Sequence, residues 1–356
     1  WAQRVGSEIG AEAVEHRFAE SRIVEHSIGG RIRRIALPVT FTPFASAHPC
    51  SARCVFCSET LVHQQSTALS ASLRPGKGYF AQLRLALAEL RGLPIGLSLS
   101  GLEASDDEEW LGRVLDEVEL HERAGGVVED RVLYTNASGF ADAEGRERLT
   151  RRLRRAGLTR MEISRHHYLQ DRNDAIMRFR DGVAIADRGT FEAATRCLAR
   201  EHYVRLVCVL QGRGVNSAEE AVRYVEWAAG LGVRDVVFRE FSRLGDEYKA
   251  NATLRVINSE RVAMEALLDQ VVDEYPRTLQ VVGATMGYYF WNVRTHWKPN
   301  TPGAGRVLVT FEASDYTLMK ARHGGDTVCK LVFHGNGNLC GEWDPGTQVL
   351  RRCGDE

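Results

Sequence analysis

From Ile32 to Arg239 the chain alternates short apolar runs poor in charge with longer stretches whose apolar positions recur at helical spacing. The runs Ile32–Thr42, Ile95–Ser100, Val132–Thr135, Arg160–Ser164, Val204–Leu210 and Val236–Arg239 predict six strands. Between them, Tyr79–Leu90, Asp106–Glu122, Glu144–Ala156, Thr190–Glu201 and Ala218–Leu231 predict amphipathic helices. Strands of this kind separated by helices imply parallel βαβ units with right-handed crossovers, an α/β fold.

The flanks read differently. Residues 1–24 carry charges at helical spacing and predict a leading helix. Pro38 inside the first strand marks an edge or a bulge, and Pro43 ends that strand. A helix is predicted over Ser259–Glu274, after which helical periodicity fades and aromatic residues gather. Val328–Cys340 reads as a hairpin about Gly335-Asn336-Gly337. The division that follows is a helical extension over 1–31, an α/β body over 32–275 and a β-rich cap over 276–356.

The 356 residues, 44% hydrophobic, suffice for one large α/β barrel or two ordinary domains. A formal charge of −1 supplies no global field for nucleic acid or an anionic membrane. No apolar run reaches the ~18 residues of a membrane span and no signal-type apolar segment follows the first residues, so a cytoplasmic location is expected.

Candidate chemistry concentrates in His48-Pro-Cys50-Ser-Ala-Arg-Cys54-Val-Phe-Cys57. Three soft thiolate ligands on one loop can hold three irons of a [4Fe–4S] cluster and leave the fourth open. Structural zinc favours paired Cys-x2-Cys knuckles; only Cys54 and Cys57 form such a pair, with His48 two residues before Cys50 as the remaining donor. A secreted disulfide framework is disfavoured by the uneven clustering.

The Cys-x3-Cys-x2-Cys spacing, with Phe56 before the last cysteine, resembles the signature of the radical S-adenosylmethionine (radical SAM) enzymes. That resemblance, over residues 32–245, implies a partial (β/α)6 barrel resembling a TIM barrel, closed by the small β-rich cap. Ser100-Gly101-Leu102-Glu103 is similar to the Gly-Gly-Glu motif that binds the SAM amino group through a backbone carbonyl; Leu102 replaces the second Gly, which requires its φ to stay negative. Thr135-Asn136-Ala137-Ser138-Gly139 resembles the turn of the molybdopterin-precursor GTP cyclase and its relatives, with Asn136 directed into the barrel mouth. In the same relatives a Ser at the position of Ser164 contacts the ribose, and Arg165 would meet the SAM carboxylate. The segment from Leu210 to Ser217 resembles the Gly-Val-Asn stretch of that branch, and Val237 would lie on a strand edge facing the adenine. The resemblance further implies that SAM is split to a 5′-deoxyadenosyl radical that takes hydrogen from the substrate.

Relatives with auxiliary clusters place cysteines around a similar hairpin; Cys329, Cys340 and Cys353 could serve such a second cluster or be plain buried thiols, while Cys197 and Cys208 read as core thiols. Within these residues no peptide-binding domain, Lys/Arg-rich arm or cobalamin-type domain is evident. By elimination the expected substrate is a small polar molecule, such as a sugar or nucleoside in a natural-product pathway, with His166, His167, Tyr288, Tyr289, Asn292 and Arg294 as candidate contacts. An electron donor such as flavodoxin or ferredoxin is the expected partner. The competing readings are a peptide-modifying enzyme of the same superfamily with an auxiliary cluster, and a non-catalytic iron–sulfur or zinc protein.

Overall fold

A computed structural model describes residues 14–16, 22–57, 61, 75–245, 248–275, 279–287, 289–298, 305–318 and 327–354. The strands among them are β1 (Val14–His16), β2 (Ile23–Ile28), β3 (Arg31–Pro43), β4 (Pro94–Leu99), β5 (Val127–Thr135), β6 (Arg160–Ser164) and β7 (Val204–Val209), then β8 (Asp235–Arg239), β9 (Leu279–Met286), β10 (Phe290–Trp297), β11 (Val307–Ser314), β12 (Thr327–Phe333), β13 (Leu339–Cys340) and β14 (Val349–Arg351). The helices are α1 (Tyr79–Glu89), α2 (Glu108–Arg123), α3 (Ala143–Arg155), α4 (Gln170–Met177), α5 (Arg188–Glu201), α6 (Ala218–Gly230), α7 (Ala252–Ser259) and α8 (Met264–Glu274). Five helices start on a side-chain cap, from Asp107, Asp142, Asp187, Ser217 and Asn251, which satisfies an N–H that the first turn leaves unpaired. Among the described residues, no helix is long and apolar enough to cross a membrane.

All six strands predicted between Ile32 and Arg239 are present, as β3 to β8, and the fold is mixed α/β with parallel sheet. The chain divides into two compact units: Trp1–Arg17, Ala52–Leu61 and Glu162–Ala321 in the first, Phe18–Ser51, Val62–Met161 and Arg322–Glu356 in the second.

In the second unit β5, β4, β3 and β12 pair in parallel, followed by antiparallel β13 and β14. Ile35, Val39, Phe41, Ile95, Leu97 and Leu99 of these strands are buried, as are Leu83 and Leu87 of α1 and Leu111 and Val114 of α2, each contributing roughly 2 kcal/mol of burial. The irregularity expected at Pro38 is real: the β12 register jumps from Val328 opposite Ile35 to Lys330 opposite Thr40. The hairpin at Gly335-Asn336-Gly337 is also present, with Gly337 at φ +86°.

The leading helix is corrected where residues are described. Residues 14–16 are strand, and β2 pairs with β3 in a hairpin whose turn, Gly29-Gly30, holds φ of +58° and +71°. Two consecutive left-handed residues suit the twist of a tight hairpin, and Gly adopts them without a Cβ clash. The helix predicted over Ser259–Glu274 is present as α8 but starts only at Met264, whose N–H is capped by Glu240 Oε2 at 3.2 Å; α7, a separate helix, ends at Ser259.

In the first unit β7, β8 and β11 run in parallel, with β10 and β9 antiparallel beyond them and β6 beside β7. The aromatic-rich strands β9 to β11 therefore extend the sheet of β8. One face is apolar: Phe238 stacks on Phe311 at 5.6 Å and meets Tyr224 of α6 edge-on. The opposite face is not. It carries Glu162, Arg205, Asp235, Arg239 and Glu312, where parallel sheet buried on both faces ordinarily carries Val, Ile and Leu.

Candidate functional site

The cysteine loop begins in the second unit and ends in the first, with Cys50 in one and Cys54 and Cys57 in the other. None of the eight cysteines is in a disulfide.

In the second unit the stem leading to Cys50 follows β3 and is pinned along its length. Tyr79 Oη and Trp110 Nε1 both donate to Phe44 O at 2.9 Å. Asp107, while capping α2, accepts from Ala47 N at 3.2 Å and lies 2.9 Å from His48 Nδ1, so His48 is committed to a carboxylate. Asp106 accepts from Ser51 N at 2.8 Å and from the Ser138 hydroxyl.

The turn after β5 completes this half. Asn136 Nδ2 donates to Ser51 Oγ at 3.0 Å and reaches Cys50 Sγ at 3.6 Å, while its Oδ1 accepts from Ser138 N. Asn136 is thus engaged with the cysteine loop itself. Gly139 is required for space: a Cβ there would stand 1.9 Å from Ser105 O.

The turn after β4 is built around a buried carboxylate. Glu103, 2% exposed, accepts from Ser105 N and Oγ at 3.0 and 2.6 Å, from Thr135 Oγ1 at 2.5 Å and from Asn136 N at 2.5 Å. Burial pushes its carboxyl up to about 7 against the pull of those donors. Ser100 bridges Phe44 on β3's continuation, and Gly101 has φ +88°. The expectation of a negative φ at Leu102 is overturned: it lies at +58°. Two left-handed residues in succession swing the chain so that Glu103 enters beneath the β5 turn, at a cost for Leu of roughly 1–2 kcal/mol.

In the first unit, the rest of the loop docks on the end of α4. Arg53 N donates to Met177 O at 3.1 Å and Val55 N to Ile176 O at 3.0 Å, and Cys57 N closes a turn onto Cys54 O at 3.1 Å. Phe56 sets its ring edge-on to His166 at 4.9 Å and Phe241 at 5.3 Å.

His166 and His167 are both buried. His166 Nδ1 accepts from Val209 N at 3.1 Å, and burial beside the Arg165 guanidinium pushes its pKa down to about 3, so it is neutral. His167 uses both ring nitrogens, toward Leu169 N at 3.0 Å and Glu220 Oε2 at 3.1 Å. Both imidazoles therefore serve protein contacts. Arg165 departs from its expected role: side chains alternate along β6, Glu162 turning to the charged face and Arg165 to the helices, over Phe191 at 4.7 Å and 0% exposed. Ser164 alternates with it onto the charged face.

Val237 is not on a strand edge, because β8 is flanked by β7 and β11; it is buried, as is Leu210, whose N bonds Arg239 O at 2.8 Å. Tyr288 lies outside the described residues. Tyr289 lines a cleft of about 320 Å³ with Arg243, Met264 and Trp291, on the apolar side of β10. Asn292 and Arg294 fall on the charged face, opposite Glu312 and Thr310 of β11. Sequence reasoning missed Asp106, Ser51, Ser138 and the network of Glu162 with Arg205 and Arg239 at 3.1 and 2.9 Å. The available signal was charge at alternate positions inside parallel strands.

Among the described residues, no three His, Cys, Asp or Glu side chains stand together as a ready metal-ligand group. The donor set of the loop nevertheless fits iron–sulfur chemistry: three thiols within eight residues, half-buried, the first with an N–H donor on its sulfur. Cys340 is fully buried, burial pushes its thiol up to about 12, and Sγ donates to Pro345 O at 3.6 Å.

No family model and no curated protein matches this chain. Superposition on solved structures aligns it with Streptococcus suis SuiB bound to S-adenosylmethionine at TM-score 0.47 and 14% identity, over 87% of this chain and 61% of that one. It also aligns with anSMEcpe with bound AdoMet, at 0.45 and 11% over 67% and 62%, and with Escherichia coli coproporphyrinogen III oxidase (HemN), a radical SAM enzyme, at 0.40 and 11% over 73% and 67%. The chain spans about three fifths of the length of SuiB and anSMEcpe.

Proposed function

We propose that this chain is a radical SAM enzyme, similar to the branch of the molybdopterin-precursor GTP cyclase. Cys50, Cys54 and Cys57 would hold a [4Fe–4S] cluster, and the substrate is a small polar molecule; its assignment as a sugar or nucleoside rests on elimination. The observation that carries the reading is the cysteine loop at the carboxyl end of β3, pinned by Asp106 and Asn136 from the turns after β4 and β5. Loops at the carboxyl ends of parallel strands are where such folds place their chemistry.

When bound, the cluster and SAM together supply one-electron cleavage of a carbon–sulfur bond and hydrogen abstraction from an unactivated carbon. The residues of the chain position and shield. Asn136 places an N–H on the Cys50 sulfur, and Phe56, seated on His166 and Phe241, holds the second half of the loop and excludes water. Glu103 has its carboxylate committed to four protein donors and so shapes the turn after β4 without itself being offered to SAM; with Leu102 at φ +58°, its carbonyl is not assigned to the SAM amino group. A flavodoxin or ferredoxin would deliver the electron.

Anaerobic reconstitution followed by iron and sulfide analysis tests this. About four irons per chain, with 5′-deoxyadenosine formed from SAM and dithionite, supports the proposal, and C54A should lose both. About eight irons would favour the peptide-modifying alternative, and bound zinc without SAM cleavage a non-catalytic protein.

A further inference from the structure

On the charged face of the first unit, five buried polar atoms have no partner among the described residues, Arg205 Nε and Asp235 Oδ1 toward β7 and, together on β10 and β11, Asn292 Oδ1, Arg294 Nε and Thr310 Oγ1. The latter three are neighbours. The β10–β11 register sets Arg294 opposite Thr310 and Asn292 opposite Glu312, and the next strand continues these rows with Val237 and Arg239. A buried donor or acceptor left unmade costs roughly 1–3 kcal/mol, so three on adjacent strand positions favour a polar group that pairs with them.

The surrounding charges define that group. Arg239 is held by Glu312 and Glu162, each at 2.9 Å, and Arg205 by Glu162 at 3.1 Å and Asp235 at 2.8 Å. Arg294 makes no ion pair among the described residues and is half-buried, whereas Thr310 is 6% exposed. The guanidinium and the hydroxyl offer two donors to one anion, and Asn292 Oδ1 awaits an N–H. Glu312 and Glu162 on the same face disfavour a doubly charged phosphate, since a single unpaired guanidinium offsets one negative charge. The carboxyl end of β8 leads to the cysteine loop: Phe241, two residues after Arg239, meets Phe56 and belongs to the cluster on which Val209, the strand neighbour of Arg239, packs.

We propose that Arg294, Thr310 and Asn292 form the site that anchors the carboxylate of the substrate, a small amide- or amine-bearing carboxylic acid such as an amino acid derivative. This rests on the enzymatic reading above and narrows its small polar substrate to a carboxylic acid, in place of the sugar or nucleoside reached by elimination. The carboxylate would lie against Arg294 and Thr310, its neighbouring N–H on Asn292, leaving the rest of the molecule to extend along the strands toward Phe56.

Binding can be tested without iron or SAM. N-acetylalanine, its uncharged amide and inorganic phosphate are compared on the full chain by calorimetry, with phenylglyoxal labelling of Arg294 followed by mass spectrometry. N-acetylalanine should bind and protect Arg294, and the amide and phosphate should not. R294Q should weaken binding at least about tenfold, the loss expected for a charge-assisted pair, and T310V, which removes only the hydroxyl, about fivefold. R294K, which keeps the charge, guards against misfolding and should fall between. Equal protection by the amide or by phosphate, or undiminished binding by R294Q of native circular dichroism, would overturn the site. A chain that binds N-acetylalanine as stated yet never cleaves SAM would refute the enzymatic reading while leaving the site intact.

Discussion

Asn136 Nδ2 stands 3.6 Å from Cys50 Sγ and 3.0 Å from Ser51 Oγ, so one amide from the turn after β5 holds the first cysteine and its neighbour together. An N–H directed at a ligand sulfur stabilises its negative charge, which favours the reduced form of an iron–sulfur centre. N136A should therefore shift the cluster's midpoint potential to more negative values, read by potentiometric titration. The same change removes the bonds to Ser51 and Ser138 and should cost about 1–3 kcal/mol in denaturant unfolding of the metal-free chain. An unchanged potential would mean that the amide only braces the loop.

Glu103 makes stability depend on pH. Its carboxyl lies at about 7 in the folded chain against an ordinary 4.5. Below 4.5 both states hold the proton and the contribution is complete. Between 4.5 and about 7 the unfolded chain releases a proton that the folded chain keeps, so stability falls as pH rises, and levels off above. E103Q should flatten that slope, measured by denaturant titrations from about pH 5 to about pH 8.

Leu102 occupies a left-handed conformation that glycine adopts freely. L102G should relieve roughly 1 kcal/mol of strain, partly offset by the greater entropy of the unfolded glycine chain. A melting temperature at or slightly above wild type is expected. A marked loss of stability would show that the half-buried leucine side chain outweighs its backbone strain.

Phe56 rests on a neutral imidazole. H166A removes the ring and leaves Val209 N unpaired, at about 1–3 kcal/mol. Cys54 and Cys57 should then be alkylated faster by iodoacetamide while Cys50, held from the second unit, reacts as before. Equal acceleration at all three cysteines would indicate global loosening.

The strands from β3 to β8 are legible from runs of Val, Ile, Leu and Phe between turn residues, even where charges alternate with them as in β6; Val204–Leu210 is the clearest. The N-terminal strands were not, although Gly29-Gly30 between Ile28 and Arg31 is a hairpin signal that charges at helical spacing obscured. The cysteine loop is legible from three residue types at fixed spacing. Its supports are not: Asp106 and Asn136 look like ordinary cap and turn residues, and their bonds to Ser51 and Cys50 span 55 and 86 positions of chain. Arg165 shows a further limit, since a one-residue step along β6 decides which face a side chain joins.

The amide groups of Arg53 and Val55 finish off the last carbonyls of α4, a helix of only eight residues. Grafting the Cys50–Cys57 stretch into another scaffold would therefore transplant the sulfurs without their mould, unless the partner carbonyls at Ile176 and Met177 travelled with it. Lesions in that small helix, remote in sequence from every thiol, should accordingly register as faults of metal incorporation.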